Sequence, residues 1–289
     1  MLQLKAQRFS WQFAAIGTEW SIETLLPLTD EIKSNITKSI EDFDKTYSRF
    51  RSDSLVSIIR QSAGRYVFPD SAIEIFDLYN QLNIATSGKV TPLVGGVLDA
   101  LGYDANYSFV QKATSPSVPE LDSLQWEGAV LTTTEPIAID IGAVGKGYLI
   151  DVIATLLKRY HDAFTVDGSG DVYTYGTMHE RIGLEDPFHT GKVIGVAPLE
   201  NASICGSATN RRRWGRQLHH IVDPDTLQPT NGVAATWVRA DSAALADGLS
   251  TALFFVDPDV LRQTFHFDFI CMYDTKSIRY SEGMKEAII

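Results

Sequence analysis

The order of apolar and polar positions along the chain predicts a mixture of strands and helices. Residues 13–26 alternate between apolar and polar side chains, as a half-buried strand does. Residues 28–50 and 70–85 carry apolar side chains at helical spacing, and 92–104 is a helical region interrupted by glycines. We therefore expect strand and helix to follow each other early in the chain.

The second half of the chain contains more strand patterns than helix patterns. Its predicted elements, in order, are a strand at 128–141, a tight glycine-rich segment at 142–147, a helix at 148–160, a strand at 163–176, further strands within 192–208, a helix at 240–256 and short strands at 267–273 and 277–282. This order predicts an α+β fold that is rich in antiparallel sheet and has flanking helices.

A loop with two prolines and three serines lies within residues 112–123. The 289 residues suffice for one large unit or two ordinary domains. We therefore predict a single unit over 1–289, with the alternative of two subdomains divided near 112–125 and a site between them.

Composition and charge exclude some classes of function. A net charge of −11 and a pI near 5.0 argue against a general nucleic-acid binder, which needs a surplus of lysine and arginine. Cys205 and Cys271 are the two cysteines, so we expect two buried thiols and no disulfide framework. The N-terminal residues contain no apolar run of signal-peptide or membrane length. A cytoplasmic protein is the expectation, or an exported or membrane-anchored one if a leader has been removed.

The predicted helix at 240–256 carries a carboxylate in an otherwise apolar sequence. Asp247 and Thr251 are four residues apart, so both lie on one face of a helix that should be buried. A carboxylate and a hydroxyl at one point form half of a site for a hard cation such as Mg²⁺. The alternative is structural: Asp247 caps or pairs with an arginine, and Thr251 bonds back to its own helix.

The segment 142-GAVGKG-147, called the glycine corner below, joins a predicted strand to a predicted helix. Such corners bind anions when free backbone N–H groups at the helix start point outward, and Lys146 adds positive charge. The sequence fits neither the GxxxxGK[ST] nor the GxGxxG phosphate loop, so a plain tight turn is the alternative.

Two further segments combine basic and turn-forming residues. In 219-HHIVDP-224, His220 could accept a proton near neutral pH, with Asp223 orienting it or shaping the turn. The segment 211-RRRWGR-216 concentrates positive charge that the chain otherwise lacks, and a solvated hairpin tip is its simpler interpretation. The turns 167-DGSGD-171 and 183-GLEDP-187 are interpreted as loops at strand ends whose glycines permit backbone contact with a flat ligand.

Taken together and in order, these segments resemble the ApbE-type FAD:protein FMN transferases. The motifs that carry the resemblance are IGTEW, SRFRSDS, TPLVGGVLDALGYD, AIDIGAVGKGYLID, VDGSGDV, GLEDP, HHIVDP and ADGLSTALF, which span residues 16–254. The resemblance implies an antiparallel-sheet-rich, T-fold-related architecture. It also implies transfer of FMN from FAD to a threonine or serine hydroxyl of a target protein, with Mg²⁺ or Mn²⁺ present and AMP released.

The resemblance also implies roles for individual residues. It implies metal ligands at the main-chain oxygen of Ala143 and at Asp247 and Thr251, and catalytic roles for Asp247 and for His220 as proton acceptor. By the same resemblance, the residues that contact FAD are Ile16, Phe50, Leu101, Gly102, Tyr103, Asp140, Lys146 and Ile221. We expect Lys146 to lie at an exposed helix start, so that replacing it weakens FAD binding more than it disturbs the fold.

Two alternatives to the transferase remain open from the sequence. One is a Mg²⁺-dependent pyrophosphatase that splits FAD into FMN and AMP with water as acceptor, because the same metal site would serve both attacks. The other is a non-catalytic flavin-binding protein. The expected partners are FAD and, for the transferase, an acceptor protein, without nucleic acid or a transmembrane segment.

Overall fold

The structure is a computed structural model that describes residues 7–114, 116–215 and 218–288. Its main element is an eight-stranded antiparallel sheet with the strand order β1-β2-β6-β7-β10-β15-β16-β17. These strands are β1 Phe9–Ala15, β2 Thr18–Thr24, β6 Phe164–Asp167, β7 Val172–Tyr175, β10 Ser203–Ala208, β15 Val233–Ala240, β16 Asp268–Tyr273 and β17 Ile278–Tyr280. Hairpins that are far apart in the sequence therefore pair within one sheet.

Smaller sheets surround the main one. A three-stranded sheet has the order β3-β5-β4, and three further strand pairs are β8-β9, β11-β12 and β13-β14. Their bounds are β3 Gly64–Val67, β4 Gln125–Glu127, β5 Val130–Thr133, β8 Glu180–Glu185, β9 Val193–Leu199, β11 Arg213–Trp214, β12 Leu218–His219, β13 Val222–Asp223 and β14 Gln228–Pro229.

The helices lie mainly against one face of the large sheet. They are α1 Asp30–Tyr47, α2 Leu55–Ile59, α3 Ala72–Ala85, α4 Gly95–Ala100, α5 Gly145–Leu157, α6 Ala243–Ala252 and α7 Pro258–Leu261, with 3-10 turns at Pro92–Val94, Leu121–Ser123 and Glu282–Ala287. In the part of the chain that the structure describes, no helix has the length and apolar character needed to cross a bilayer.

The two faces of the main sheet bury separate apolar clusters. Cys205 points into the larger cluster, which includes side chains of α1, α3, α5 and α6, whereas its neighbour Ile204 points into a smaller cluster with β8, β9 and the C-terminal 3-10 turn. This alternation follows from the period of two along a strand. The predicted α+β fold with a large antiparallel sheet is confirmed, and both cysteines are buried as expected.

Two predicted strands are hairpins in the structure. Within 13–26 the chain reverses at Ile16 and Gly17, both of which have positive φ, so β1 and β2 pair with each other. Within 163–176 it reverses at Ser169 and Gly170, and Gly170 N–H donates to Asp167 Oδ1 at 2.8 Å. The alternation of side chains continues across a tight turn, so periodicity alone did not reveal the reversal.

The predicted strand at 128–141 is also wrong over most of its length. Only Val130–Thr133 pairs in a sheet, and residues 136–140 run extended without a ladder. Ile137, Ile139 and Ile141 are buried in the main cluster, which produces the strand-like alternation. The Asp140 N–H donates instead to the Pro92 carbonyl at 2.7 Å. The strand-like alternation here reflects the burial of every second side chain and does not indicate pairing with a neighbouring strand.

Helices α5 and α6 pack very closely against each other. Gly147 lies directly against the main-chain carbonyl of Ala243, where a Cβ atom would have no space. At the same contact, both carboxylate oxygens of Asp151 accept the Ala243 and Ala244 N–H groups at 2.9 and 2.8 Å. Ser242 caps α6, with Oγ accepting the Leu245 N–H at 3.2 Å. The start of each helix is thus fixed by the other.

The loop at 112–120 has no regular secondary structure, and Ser115 within it lies outside the described residues. The alternative of two subdomains divided near 112–125 stays a prediction.

Candidate functional site

A cavity of about 970 Å³ opens beside the glycine corner, at the upper end of the range of roughly 300–1,000 Å³ for small-molecule pockets. Elements from distant parts of the sequence line it. The predicted site residues that line the cavity are Ile16, Phe50, Tyr103, Asp140, Ala143, Lys146, His220, Ile221, Asp247 and Thr251. Ten of twelve residues chosen from the sequence therefore share one cavity, and their individual roles stay predictions.

Leu101 and Gly102 do not line the cavity. The Leu101 carbonyl accepts the Trp214 Nε1–H at 2.9 Å, and the Gly102 carbonyl accepts the Phe109 N–H at 2.8 Å. Gly102 has φ +97° and lies against the backbone of Phe109 and Val110. Both residues thus lie behind the cavity surface. There they support the loop that carries Tyr107 and Phe109 into the cavity.

Four of the six backbone N–H groups of the glycine corner have hydrogen-bond partners within the protein, contrary to the expectation of free donors. Gly142 N–H donates to Asp140 Oδ1 at 2.6 Å, and the Val144 and Gly145 N–H groups both donate to the Ile141 carbonyl. Gly147 N–H donates to Asp247 Oδ2 at 3.0 Å. Anion binding at this corner therefore depends on side chains, and Lys146 is the cationic one.

Asp247 is a buried carboxylate at the contact between α5 and α6. Its hydrogen bond to the Gly147 N–H, in the first turn of α5, fits the alternative that it caps a helix, and the pairing with an arginine is not found among the described residues. Burial raises the pKa of Asp247 well above its usual range, the charge of Asp171 adds to this, and Lys146 opposes it. A further cation at this point would stabilise the ionised carboxylate.

Lys146 differs from the prediction of an exposed helix start. It lies in the first turn of α5 with its side chain 22% exposed, and Nζ forms an ion pair with Asp171 Oδ2 at 2.7 Å. Asp171 is itself buried, and its Oδ1 accepts the Gly206 N–H at 3.0 Å. The ammonium group is drawn inward because the buried carboxylate needs a counter-charge.

His220 lies at the cavity with its Nδ1 buried, and no partner for this atom is found among the described residues. Burial and the charge of Arg212 lower the pKa of His220 to about 3, so the ring is neutral at pH 7 but a weaker base than a free imidazole, unlike the predicted proton acceptor near neutral pH. Asp223 does not orient it. The Asp223 carboxylate binds Lys89 Nζ at 2.8 Å and accepts the Asp225 N–H at 2.8 Å, which shapes the turn.

Four aromatic side chains form one side of the cavity, called the aromatic wall below: Phe50, Tyr103, Tyr107 and Phe109. Phe50 and Tyr107 stack with ring centroids 5.0 Å apart and planes within 1°. Tyr103 contacts Phe50 edge-on at 5.5 Å and stacks on Trp214 at 5.4 Å. Tyr107 and Phe109 were missed by sequence reasoning, because they follow the quoted motif in a stretch without periodicity.

The first three residues of the basic segment at 211–216 line the cavity, a position that the interpretation as a solvated hairpin tip did not include. Arg211, Arg212 and Arg213 line the opening and are exposed, and Arg211 Nη2 pairs with Glu185 Oε2 at 2.6 Å. Arg216 lies outside the described residues. The cavity opening is therefore positively charged on an acidic protein, which favours an anionic ligand.

The donors around Asp247 are suited to a hard cation. Ala143 and Thr251 line the same cavity as Asp247, and a main-chain carbonyl and a hydroxyl are oxygen ligands of the kind that Mg²⁺ prefers. Across 7–114, 116–215 and 218–288 there is no cluster of three or more histidine, cysteine, aspartate or glutamate side chains that could hold a metal alone. A cation held here would need further ligands from a substrate or water.

Comparison with known proteins identifies the family. The family model described as the ApbE family matches residues 16–267. The chain belongs to the ApbE family. Two relatives named FAD:protein FMN transferase come from Rhodobacter capsulatus and Klebsiella pneumoniae. The first is 29% identical over 58% of this chain and 35% of its own length, and the second is 20% identical over 93% of this chain and 84% of its own length.

Solved structures from the ApbE family share the fold. The flavin transferase ApbE from Vibrio cholerae matches with a TM-score of 0.80 at 19% identity, covering 98% of this chain and 100% of that one. The ApbE protein from Thermotoga maritima matches with a TM-score of 0.85 at 21% identity and the same coverage. These matches confirm the predicted architecture, the family model confirms the predicted family, and the names of the relatives give the enzyme class that the sequence predicted.

Proposed function

We propose that this protein is an enzyme that transfers FMN from FAD to a threonine or serine hydroxyl of an acceptor protein and releases AMP. Membership of the ApbE family supports the reaction class. The observation that carries the proposal is that the oxygen donors Ala143, Asp247 and Thr251 line one dinucleotide-sized cavity together with Lys146 and the neutral His220.

The Ala143 carbonyl, the Asp247 carboxylate and the Thr251 hydroxyl would hold Mg²⁺, and Mn²⁺ accepts the same oxygen ligands. When bound, the ion would offset the negative charge that builds up on the pyrophosphate as its P–O bond breaks.

The protein's own residues then position and neutralise the substrate. Lys146 is cationic, and burial beside Asp171 fixes its ammonium group at the corner. The exposed Arg212 and Arg213 at the cavity opening add positive charge toward an anionic dinucleotide. The aromatic wall offers flat faces for one ring system of FAD.

In the proposed reaction the hydroxyl oxygen of the acceptor forms a bond to the phosphorus on the FMN side. The bond from that phosphorus to the bridging oxygen breaks, and AMP leaves with the bridging oxygen and its electron pair. His220 accepts the hydroxyl proton, since its ring is neutral and the negative charge of a bound pyrophosphate raises its affinity for a proton.

The test is to mix the protein with FAD, Mg²⁺ and an acceptor that carries an exposed threonine, and to measure the intact mass of the acceptor and the nucleotide products. A mass gain of one FMN group with release of AMP supports the proposal, and an acceptor with alanine in place of that threonine should gain nothing. Free FMN and AMP with every tested acceptor unchanged would favour the FAD pyrophosphatase. If FAD is not cleaved, the remaining interpretation is a non-catalytic flavin-binding protein.

A further inference from the structure

Arg49 is a buried arginine that links two parts of the cavity. It follows α1, and its side chain is 5% exposed. Nε donates to Asp140 Oδ2, and Nη1 donates to Asp99 Oδ1 at 3.1 Å. Arg60 also pairs with Asp99, so the carboxylate that anchors Nη1 is itself held in place. The guanidinium plane is therefore fixed at two of its three nitrogens.

The flat face of the same guanidinium supports the aromatic wall. Its central carbon lies 4.3 Å from the centroid of the Phe50 ring and 4.9 Å from that of Tyr103. At these distances a guanidinium is attracted to the ring faces. The position of both rings thus depends on the position of Arg49.

The edge of the guanidinium supports the glycine corner. Asp140 uses Oδ2 for Arg49 and Oδ1 for the Gly142 N–H at 2.6 Å. Gly142 precedes Ala143, whose carbonyl is one of the proposed metal ligands. A chain of two contacts therefore runs from the guanidinium to the backbone that presents this carbonyl.

The fold alone gives little reason to keep an arginine here. Nη2 is buried and has no hydrogen-bond partner among the residues that the structure describes, and an unpaired buried donor lowers stability. Lysine could pair with one carboxylate, but it lacks the planar fork and the stacking face. The arginine is thus explained by a need to hold two groups at once.

We propose that Arg49 is a positioning residue that couples the ring-binding and phosphate-binding ends of the site. It holds Phe50 and Tyr103 with its face and Asp140 with its edge, so that the aromatic wall and the Ala143 carbonyl keep a fixed relation. A ligand with a flat ring at one end and a metal-bound pyrophosphate at the other needs this relation. The inference rests on the proposed function, which supplies that ligand.

The experiment compares Arg49→Lys with Phe50→Ala and with Arg239→Lys. Arg239 pairs with Asp268 Oδ2 at 2.7 Å and donates to the Gly283 carbonyl at 2.9 Å, and it does not line the cavity, so it controls for the loss of an ion-paired arginine. Two binding constants are measured without turnover. Mn²⁺ binding in the absence of FAD, followed by electron paramagnetic resonance, reports on the corner, and FAD binding, followed by the flavin absorbance shift, reports on the wall.

We expect Arg49→Lys to weaken both Mn²⁺ and FAD binding, each by about tenfold, the size expected for a hydrogen bond to a charged group. Phe50→Ala should weaken FAD and leave Mn²⁺ unchanged, and Arg239→Lys should change neither. If Arg49→Lys affects only one ligand, or neither, the coupling is wrong.

The proposed function and the coupling fail in different ways. A parent protein that binds neither FAD nor Mn²⁺ contradicts the proposed function, whereas a parent that binds both and an Arg49→Lys variant that matches it contradict only the coupling. If Arg49→Lys does not fold, Asp99→Asn loosens the Nη1 anchor and should weaken both ligands in parallel to a smaller degree. Unchanged binding in a folded Asp99→Asn protein would then count against the coupling.

Discussion

The glycine corner and the aromatic wall face the same cavity but are built in different ways. The corner lies on α5 against α6, where eight of the ten residues of α6 are buried and backbone groups are paired across the contact. The wall depends on loops, in which Tyr107 and Phe109 have positive φ and about half of each side chain is exposed. A rigid part and a more accessible part therefore share one site.

This contrast indicates which part of the proposed ligand must be placed most accurately. Phosphoryl transfer loses rate when the reacting groups are misplaced by about 1 Å, and close packing of two helices limits such shifts. Stacking of a flat ring tolerates lateral shifts, so loop-borne aromatic side chains suffice. The following changes test this contrast, beginning with the largest effect.

Asp247→Ala should have the largest effect on the reaction. Removing the carboxylate removes a proposed metal ligand, and we expect turnover of FAD to fall about 1,000-fold, equivalent to ~4 kcal/mol of activation free energy. FAD affinity should stay within a few fold, because the aromatic wall is untouched. Steady-state release of AMP and an FAD titration measure the two quantities. Asp241→Ala, at an exposed position just before α6, is the control and should leave both unchanged.

Lys146→Ala tests the rigidity of the corner. It leaves the buried Asp171 without its counter-charge, so we expect the free energy of unfolding to fall by about 2–3 kcal/mol. Urea unfolding measures this, with the exposed Lys38→Ala as control. Adding Asp171→Asn to the lysine variant should recover part of the loss, since the charge is then removed as well. A lysine variant as stable as the parent would show that the ion pair contributes nothing to the corner.

Tyr107→Ala tests the wall. Loss of one stacking partner of Phe50 should weaken FAD binding by about three- to tenfold, equivalent to ~0.7–1.4 kcal/mol, with turnover at saturating FAD and thermal stability retained. Equilibrium titration and saturation kinetics measure this split. An exposed tyrosine far from the cavity, Tyr160→Ala, serves as control. A large fall in melting temperature would contradict the contrast, because the wall would then be part of the core.

A separate effect, on stability and not on binding, is a pH dependence at His220. Its pKa is lowered to about 3 in the folded state, so below the ordinary value near 6.5 the unfolded chain binds a proton that the folded chain does not. Stability should therefore fall as the pH is lowered from 7 to 5, by about 1–2 kcal/mol from this group. His220→Asn should flatten the slope, while His266→Asn, at an exposed position, should leave it as in the parent. Equal slopes for all three proteins would show that His220 is not buried in solution.

The sequence predicted the corner better than the wall, for physical reasons. Asp247 and Thr251 share a helix face by spacing alone, and the glycines of the corner mark a close backbone approach. The hairpin turn at Ile16 was missed, because side-chain alternation does not record the direction of the chain, whereas the glycines of 167-DGSGD-171 did indicate the turn at Ser169. The ion pair of Lys146 with Asp171 and the contacts of Arg49 join residues that are distant in sequence, and no local pattern predicts such partners.

The missing side chain at Gly147 limits how this site can change over evolutionary time. Any larger residue there would push α5 away from the Ala243 carbonyl and carry Ala143, Lys146 and the N–H group that binds Asp247 with it. Substitution at this one position would thus damage several functions together, so variation in what the protein accepts must arise elsewhere. The surface loops around residues 104–110 and 211–213 are free of that constraint, and new specificities within this architecture should originate there.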